Sequence, residues 1–136
     1  MELFLVDSNV MLAASAVIEL SGVASRAMPQ EVELREQVFD WLKKFDLSDN
    51  RILLDEEGLV RSEYERNMPF HYPEQEYGMQ VLQNKLDRGL VEFVPINTLE
   101  GNGEHIALLS DAHEMLVPDR EDRKWVACSL SAQEYL

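Results

Sequence analysis

The stretch Leu3-Phe4-Leu5-Val6-Asp7-Ser8-Asn9-Val10 decides the fold class. Four consecutive apolar residues before Asp-Ser-Asn read as a buried parallel strand, because a strand covered on both faces loses the apolar–polar alternation. Such a strand carries the Asp7 carboxylate to its C-terminal mouth, the edge of an open α/β sheet where ligands collect. Working outward, Ser8 is placed to N-cap a helix through Met11, Leu12 and Ala13 to about Leu20. Gly22 to Pro29 reads as a loop. From Glu31 to Phe45 the apolar residues Leu34, Val38, Trp41, Leu42 and Phe45 recur at helical spacing. Asp49-Asn50 turns the chain into Ile52-Leu53-Leu54, a second short strand ending in Asp55.

Gly58 opens a helix from about Leu59 to Asn67, stopped before Pro69. A loop around His71-Tyr72-Pro73 leads to a helix from about Glu74 to Asp87, with Gly89 as its stop. Val91 to Ile96 is a third strand, Gly101 to Gly103 a turn, and Glu104 to Leu116 a predicted helix. Pro118 sits at the first-turn position of a last helix, Asp119 to about Ala132. Strands alternating with helices predict a three-layer α/β domain with a short, largely parallel sheet. No repeat, low-complexity tract or linker divides it, so residues 1–136 are expected to form one domain.

The chain is 46% hydrophobic over 136 residues, which supports one real core. No apolar stretch is long enough to span a bilayer, and the first residues lack the pattern of a signal peptide. The single cysteine, Cys128, cannot form an internal disulfide, which fits a reducing cytoplasm, and its apolar helical setting reads as packing. The charge is lopsided: 26 acidic residues against 12 basic give a formal net of −14. Such a chain repels nucleic acid unless basic residues are locally concentrated or metal ions neutralise some of the acid.

Three carboxylates stand out by placement. Asp7 ends the first strand, Glu63 lies about one turn into the helix after the second, and Asp122 lies in the first turn of the last helix. Strand C-termini and the N-termini of the following helices share one edge of a parallel sheet, so all three can face one crevice. Clustered carboxylates repel, and a hard cation among them relieves the repulsion. Oxygen ligands without Cys or His favour Mg²⁺ or Mn²⁺ over zinc. Such an ion orients a water, lowers its pKa and stabilises charge developing on a phosphodiester, chemistry that suits nucleases and phosphatases alike.

At this point the sequence resembles the PIN-domain (PilT N-terminus-like) nucleases. The first motif is Val6-Asp7-Ser8-Asn9-Val10; the second is Leu53-Leu54-Asp55-Glu56-Glu57-Gly58 leading to Ser62-Glu63-Tyr64; the third is Asp122-Arg123-Lys124-Trp125-Val126-Ala127. Order, spacing and element type agree over nearly the whole chain. The resemblance implies a PIN-like three-layer α/β/α fold and a metal-dependent ribonuclease, in many cases the toxin of a bacterial toxin–antitoxin pair. It implies Asp7, Glu63 and Asp122 as metal ligands, Asn9 positioning Asp7 or the metal-bound water, and Ser8 capping its helix while facing the site. RNA is then the substrate, Mg²⁺ or Mn²⁺ the cofactor, and an antitoxin the protein partner.

The family supplies a fourth acid just after a further strand, and this chain stops at Tyr135-Leu136 before that strand. The expectation is therefore a domain cut short at its C-terminus. In the family that strand pairs beside the first, so its lack would leave Leu3 to Val6 as an apolar edge open to another chain, which points to a homodimer. Asp119, three residues before Asp122, offers a substitute ligand, with N-capping of the last helix as its competing job.

Arg66 projects from the Glu63 face of its helix, and Arg61, Arg120, Arg123 and Lys124 flank the second and third acids by sequence. Contact with a substrate phosphate and pairing with surface acids such as Glu121 weigh equally for them. His71, His105 and His113 have no metal-ligand spacing, and Trp41 and Trp125 read as core. A haloacid-type phosphatase also starts from a strand-end Asp but needs a second Asp where this chain has Asn9. The competing reading is a catalytically weak or inactive PIN-like domain acting through protein contacts, favoured by the missing fourth acid and the acidic surface.

Overall fold

The structure is a computed structural model that describes residues 2–18, 21–70 and 75–136. Three parallel strands form the central sheet in the order β1 (Leu3–Phe4), β2 (Arg51–Asp55), β3 (Val91–Val94). Leu3 pairs with Arg51 and Phe4 with Ile52, while β2 meets β3 from Ile52 opposite Val91 to Asp55 opposite Val94. The expected strands are thus present and parallel, but β1 is two residues long and half-buried rather than a buried strand through Val6, and β3 stops at Val94. The connections from β1 to β2 and from β2 to β3 are helical, as parallel pairing requires. Helices α1 (Ser8–Ser15) and α2 (Val32–Leu47) make the first, and α3 (Leu59–Asn67) and α4 (Tyr77–Asp87) the second.

Helices α1, α2 and α4 pack on one another, and α4 also reaches β2. Ile52 and Leu54 of β2, Val94 of β3, Met11 of α1, Leu42 of α2 and Val81 of α4 are buried in one principal core. α1 and α4 approach closely at Gly78, whose amide donates to Ser15 Oγ at 2.9 Å. A Cβ there would stand 2.8 Å from both Met11 Cβ and Met68 Sδ. Buried Lys85 of α4 donates to the carbonyls of Ser48 and Asn50 at 3.0 and 2.7 Å and lies 4.3 Å over the Phe45 ring, which fastens the α2–β2 turn. Buried Arg35 holds the loop before α2 by donating to the carbonyls of Pro29, Ala24 and Ala27.

Beyond β3 the chain departs from expectation. The predicted helix from Glu104 is instead an antiparallel hairpin, β4 (Thr98–Gly101) with β5 (Glu104–Ala107), followed by a short helix α5 (Asp111–Leu116). The cause is the Asn102-Gly103 turn: both residues have positive φ, 53° and 77°, the geometry that matches the twist of a two-residue hairpin. The last helix begins as expected near Asp119. A 3-10 turn over Arg120–Asp122 leads into α6 (Arg123–Tyr135), which packs against β2, β3, α3 and β5.

Smaller corrections follow the same logic of local hydrogen bonding. The N-cap of α1 is Asp7 rather than Ser8, because the Ser8 hydroxyl is spent on a partner across the fold. α1 ends at Ser15 and continues as turns to Ile18; the expected end near Leu20 lies outside the described residues, as do the His71-Tyr72-Pro73 loop and Glu74. Trp41 is not core: it is 41% exposed, stacked on Phe45 and edge-on to Phe4 at the open side of β1. Cys128 is fully buried, as its setting implied. Among the described residues no helix is long and apolar enough to cross a membrane.

Candidate active site at the mouth of the sheet

The site is built by two strand-to-helix corners and the start of α6. At the first corner β1 delivers Asp7 to the N-cap position of α1, with φ −64° and ψ 144°. Its carboxylate makes no capping hydrogen bond, and the side chain lines an open cleft. At the second corner Asp55 turns inward. Its buried carboxylate accepts from the Leu59 and Val60 amides, each at 2.9 Å, and so caps α3 from the strand end. Gly58 makes the turn itself with φ 81°, a left-handed conformation that costs other residues about 1 kcal/mol or more. This corner fixes where α3 begins and therefore where Glu63 falls, just over one turn later.

Asp7, Asn9 and Asp122 line one cleft of about 570 Å³, together with Leu5, Val117, Trp125 and Val126. Residues from opposite ends of the chain thus meet at one place. Asp122 closes the 3-10 turn and stands at the N-cap position of α6 without a capping hydrogen bond. Asp119 does what a cap does, accepting from the Glu121 amide at 3.0 Å, and does not line the cleft.

Glu63 sits beside this cleft in a different electrostatic state. Ser8 donates its hydroxyl hydrogen to Glu63 Oε2, and Lys124 Nζ lies 2.9 Å from Glu63 Oε1. Lys124 is buried and also lies 3.2 Å from Glu121 Oε2, while Arg66 reaches the same Glu121 oxygen at 3.6 Å. The hydrogen bond from Lys124, helped by the charges of Lys124 and Arg66, holds the Glu121 carboxyl below its ordinary range. Each oxygen of Glu63 therefore has a partner within the chain. Among the described residues, no group of three or more Asp, Glu, His or Cys side chains is arranged to hold one metal ion.

Arg61, Arg120 and Arg123 do not line the cleft. Arg61 bonds Glu65 at 3.2 Å along α3, and Arg120 lies 3.4 Å from Glu104. Arg123 donates to the Val117 carbonyl at 3.0 Å and lies 3.8 Å from Glu114. Only Lys124 and Arg66 of the five join the network at Glu63 and Glu121. Neither His105, 3.9 Å from Glu57, nor His113, whose ring bonds Ser110 Oγ, approaches it.

Tyr64 is the site residue that reasoning from sequence passed over. It is fully buried, tilts against Trp125 at 6.0 Å between ring centroids, and donates its hydroxyl to the Val6 carbonyl. Burial raises its phenol well above the ordinary range, and the nearby negative charges of Asp7 and Glu63 push it further. It locks α3 to the segment that follows β1 and so couples Glu63 to Asp7. Its signal was its place beside Glu63 in Ser62-Glu63-Tyr64. Comparison with protein-family models, with curated proteins and with solved structures finds no match to this chain.

Proposed function

We propose that the chain is a PIN-like, three-layer α/β/α domain whose cleft hydrolyses phosphodiester bonds in single-stranded or structured RNA. The observation that carries the reading is the meeting of Asp7, Asn9 and Asp122 in one cleft at the C-terminal mouth of a parallel sheet. The donor set fits a hard divalent cation in part. Asp7 and Asp122 are exposed carboxylates on the cleft, and Asn9 adds an amide oxygen. Glu63 joins them only if Lys124 withdraws.

A Mg²⁺ or Mn²⁺ ion, when bound, supplies charge neutralisation and a water of lowered pKa. The chain's own residues do the rest. Asp7 and Asp122 hold negative charge at the cleft, Asn9 orients whatever lies between them, and Tyr64 and Ser8 keep the two corners in register. Buried Lys124 and exposed Arg66, both paired with Glu121, would offer positive charge to a phosphate once Glu121 swings away. The resemblance extends the reading to a cytoplasmic toxin held by an antitoxin.

Purified protein incubated with single-stranded RNA and Mn²⁺ tests this. Cleavage is expected, is abolished by EDTA, and falls by about 10²–10⁴-fold in Asp7→Asn, the range for loss of a positioned catalytic group. Absence of cleavage with Mg²⁺ and Mn²⁺, or cleavage unchanged in Asp7→Asn, contradicts the assignment.

The second reading is a catalytically weak PIN-like domain that acts through protein contacts. The Lys124 ammonium favours it, because it neutralises Glu63 without any added ion. Lys124→Ala separates the two. If Lys124 stands in for a cation, Mn²⁺ raises the Tm of Lys124→Ala more than that of the parent, since a ligand that binds only the folded state stabilises it.

A further inference from the structure

We infer that Glu121 is an autoinhibitory contact: its carboxylate occupies a phosphate-binding position between Lys124 and Arg66 and must leave before a phosphodiester can enter. Lys124 belongs to α6 and Arg66 to α3, and both reach one oxygen, Oε2 of Glu121, at 3.2 and 3.6 Å. Two cations from separate helices that converge on one acceptor form an anion cradle. The cradle adjoins the cleft. Asp122, the residue after Glu121, lines that cleft, and Glu63, the other partner of Lys124, accepts from Ser8 between Asp7 and Asn9. The inference rests on the reading of this cleft as a phosphodiester site.

A purely structural ion pair does not account for Glu121. Lys124 is 4% exposed and needs a counter-ion, but Glu63 already supplies one at 2.9 Å. Glu121 is a second carboxylate, and its side chain is 60% exposed. An ion pair with so exposed a partner contributes about 0–1 kcal/mol, so its release costs little. The backbone beneath it is fixed: the Asp119 carboxylate accepts from the Glu121 amide at 3.0 Å, and the Asp119 carbonyl from the Asp122 amide at 3.1 Å. Release is therefore a rotation of the side chain alone. The exposed carboxylate also marks the route by which an anion from solvent reaches the buried ammonium.

Charge decides what replaces it. With Glu121 in place, Lys124 and Arg66 are balanced by Glu63 and Glu121. With Glu121 turned out, one positive charge is left over, which matches the single negative charge of a phosphodiester. The two non-bridging oxygens of that group give Lys124 and Arg66 an acceptor each, where Glu121 offers both the same oxygen.

Binding in EDTA tests this without any cleavage. Labelled single-stranded RNA is titrated by fluorescence anisotropy, and inorganic phosphate is added in a thermal-shift assay at matched ionic strength. Glu121→Gln keeps the shape of the side chain and removes its charge. It is expected to bind the RNA about tenfold more tightly than the parent at low salt, and to gain more Tm from phosphate. Glu36→Gln, an exposed change on α2 that alters the net charge equally, should match the parent with both probes. Adding Arg66→Ala to Glu121→Gln should remove the gain. A gain with phosphate and none with RNA upholds the contact and counts against RNA as the ligand of the cleft. The inference is overturned if Glu121→Gln gains with neither probe, if Glu36→Gln gains as much, or if the gain survives Arg66→Ala.

Discussion

Tyr64 shows how much one hydrogen bond can organise. Its hydroxyl joins the middle of α3 to the segment that follows β1, and Tyr64→Phe leaves the Val6 carbonyl without that donor. A loss of about 1–3 kcal/mol in urea denaturation is expected, the usual cost of a buried polar group left unsatisfied. The phenol also sets an alkaline limit. Its folded-state pKa is raised, so its contribution is complete below the unfolded value of about 10 and is lost as pH rises above it towards the folded value. Stability measured across that window should fall in the parent and fall less in Tyr64→Phe.

Lys124 makes the opposite case, a buried cation between two acids. Removing it in Lys124→Ala leaves Glu63 partly buried with only the Ser8 hydroxyl as partner and no neutralising charge, at a cost of about 3 kcal/mol in chemical denaturation. Cys128 is the simplest residue to test. Burial pushes its thiol up to about 12, so a thiol reagent at neutral pH should modify it only after unfolding. Rapid labelling of the folded chain would contradict its place in the core.

At the scale of elements, much was legible and the omissions have local causes. The apolar run Ile52 to Leu54 and the helical spacing of α2 specify a buried strand and a helix, whereas the run from Leu3 yields only the two half-buried residues of β1. α3 falls at Leu59–Asn67 as read from Gly58 and Pro69, because a left-handed glycine and a proline punctuate the backbone sterically. The hairpin was hidden by length: β4 and β5 have four residues each, too few to show a period against the helix-compatible run from Glu104. Asn102-Gly103 was its signal, and turn chemistry outweighed helix propensity there. Trp41 illustrates a different limit. Helical spacing reveals which face is apolar but not whether anything covers it, and among the described residues Trp41 stays 41% exposed. The tight α1–α4 contact belongs to this scale as well. Gly78→Ala forces a methyl against Met11 and Met68 and should cost about 1–3 kcal/mol, less the helix propensity that alanine returns.

Across the whole molecule the acids divide into two kinds. Most lie on the surface and account for the net charge of −14. A few are placed by the fold: Asp55 caps α3, Glu76 accepts from Ser21 and Gly22, Glu63 is held by Ser8 and Lys124, and Asp7 and Asp122 stand on a shared cleft. The convergence of Asp7 and Asp122 was readable in sequence, since strand ends and helix starts share an edge in a parallel sheet. The capture of Glu63 by Lys124 was not, because a pairing across α3 and α6 depends on how the two helices pack. The proposed cation site stands or falls on whether Asp7 and Asp122 act together. Isothermal titration of Mn²⁺ into the parent, Asp7→Asn and Asp122→Asn measures this directly. The proposal predicts one saturable site in the parent and a loss of affinity of more than about tenfold in each variant. No saturable binding by the parent, or binding unchanged in both variants, would contradict it.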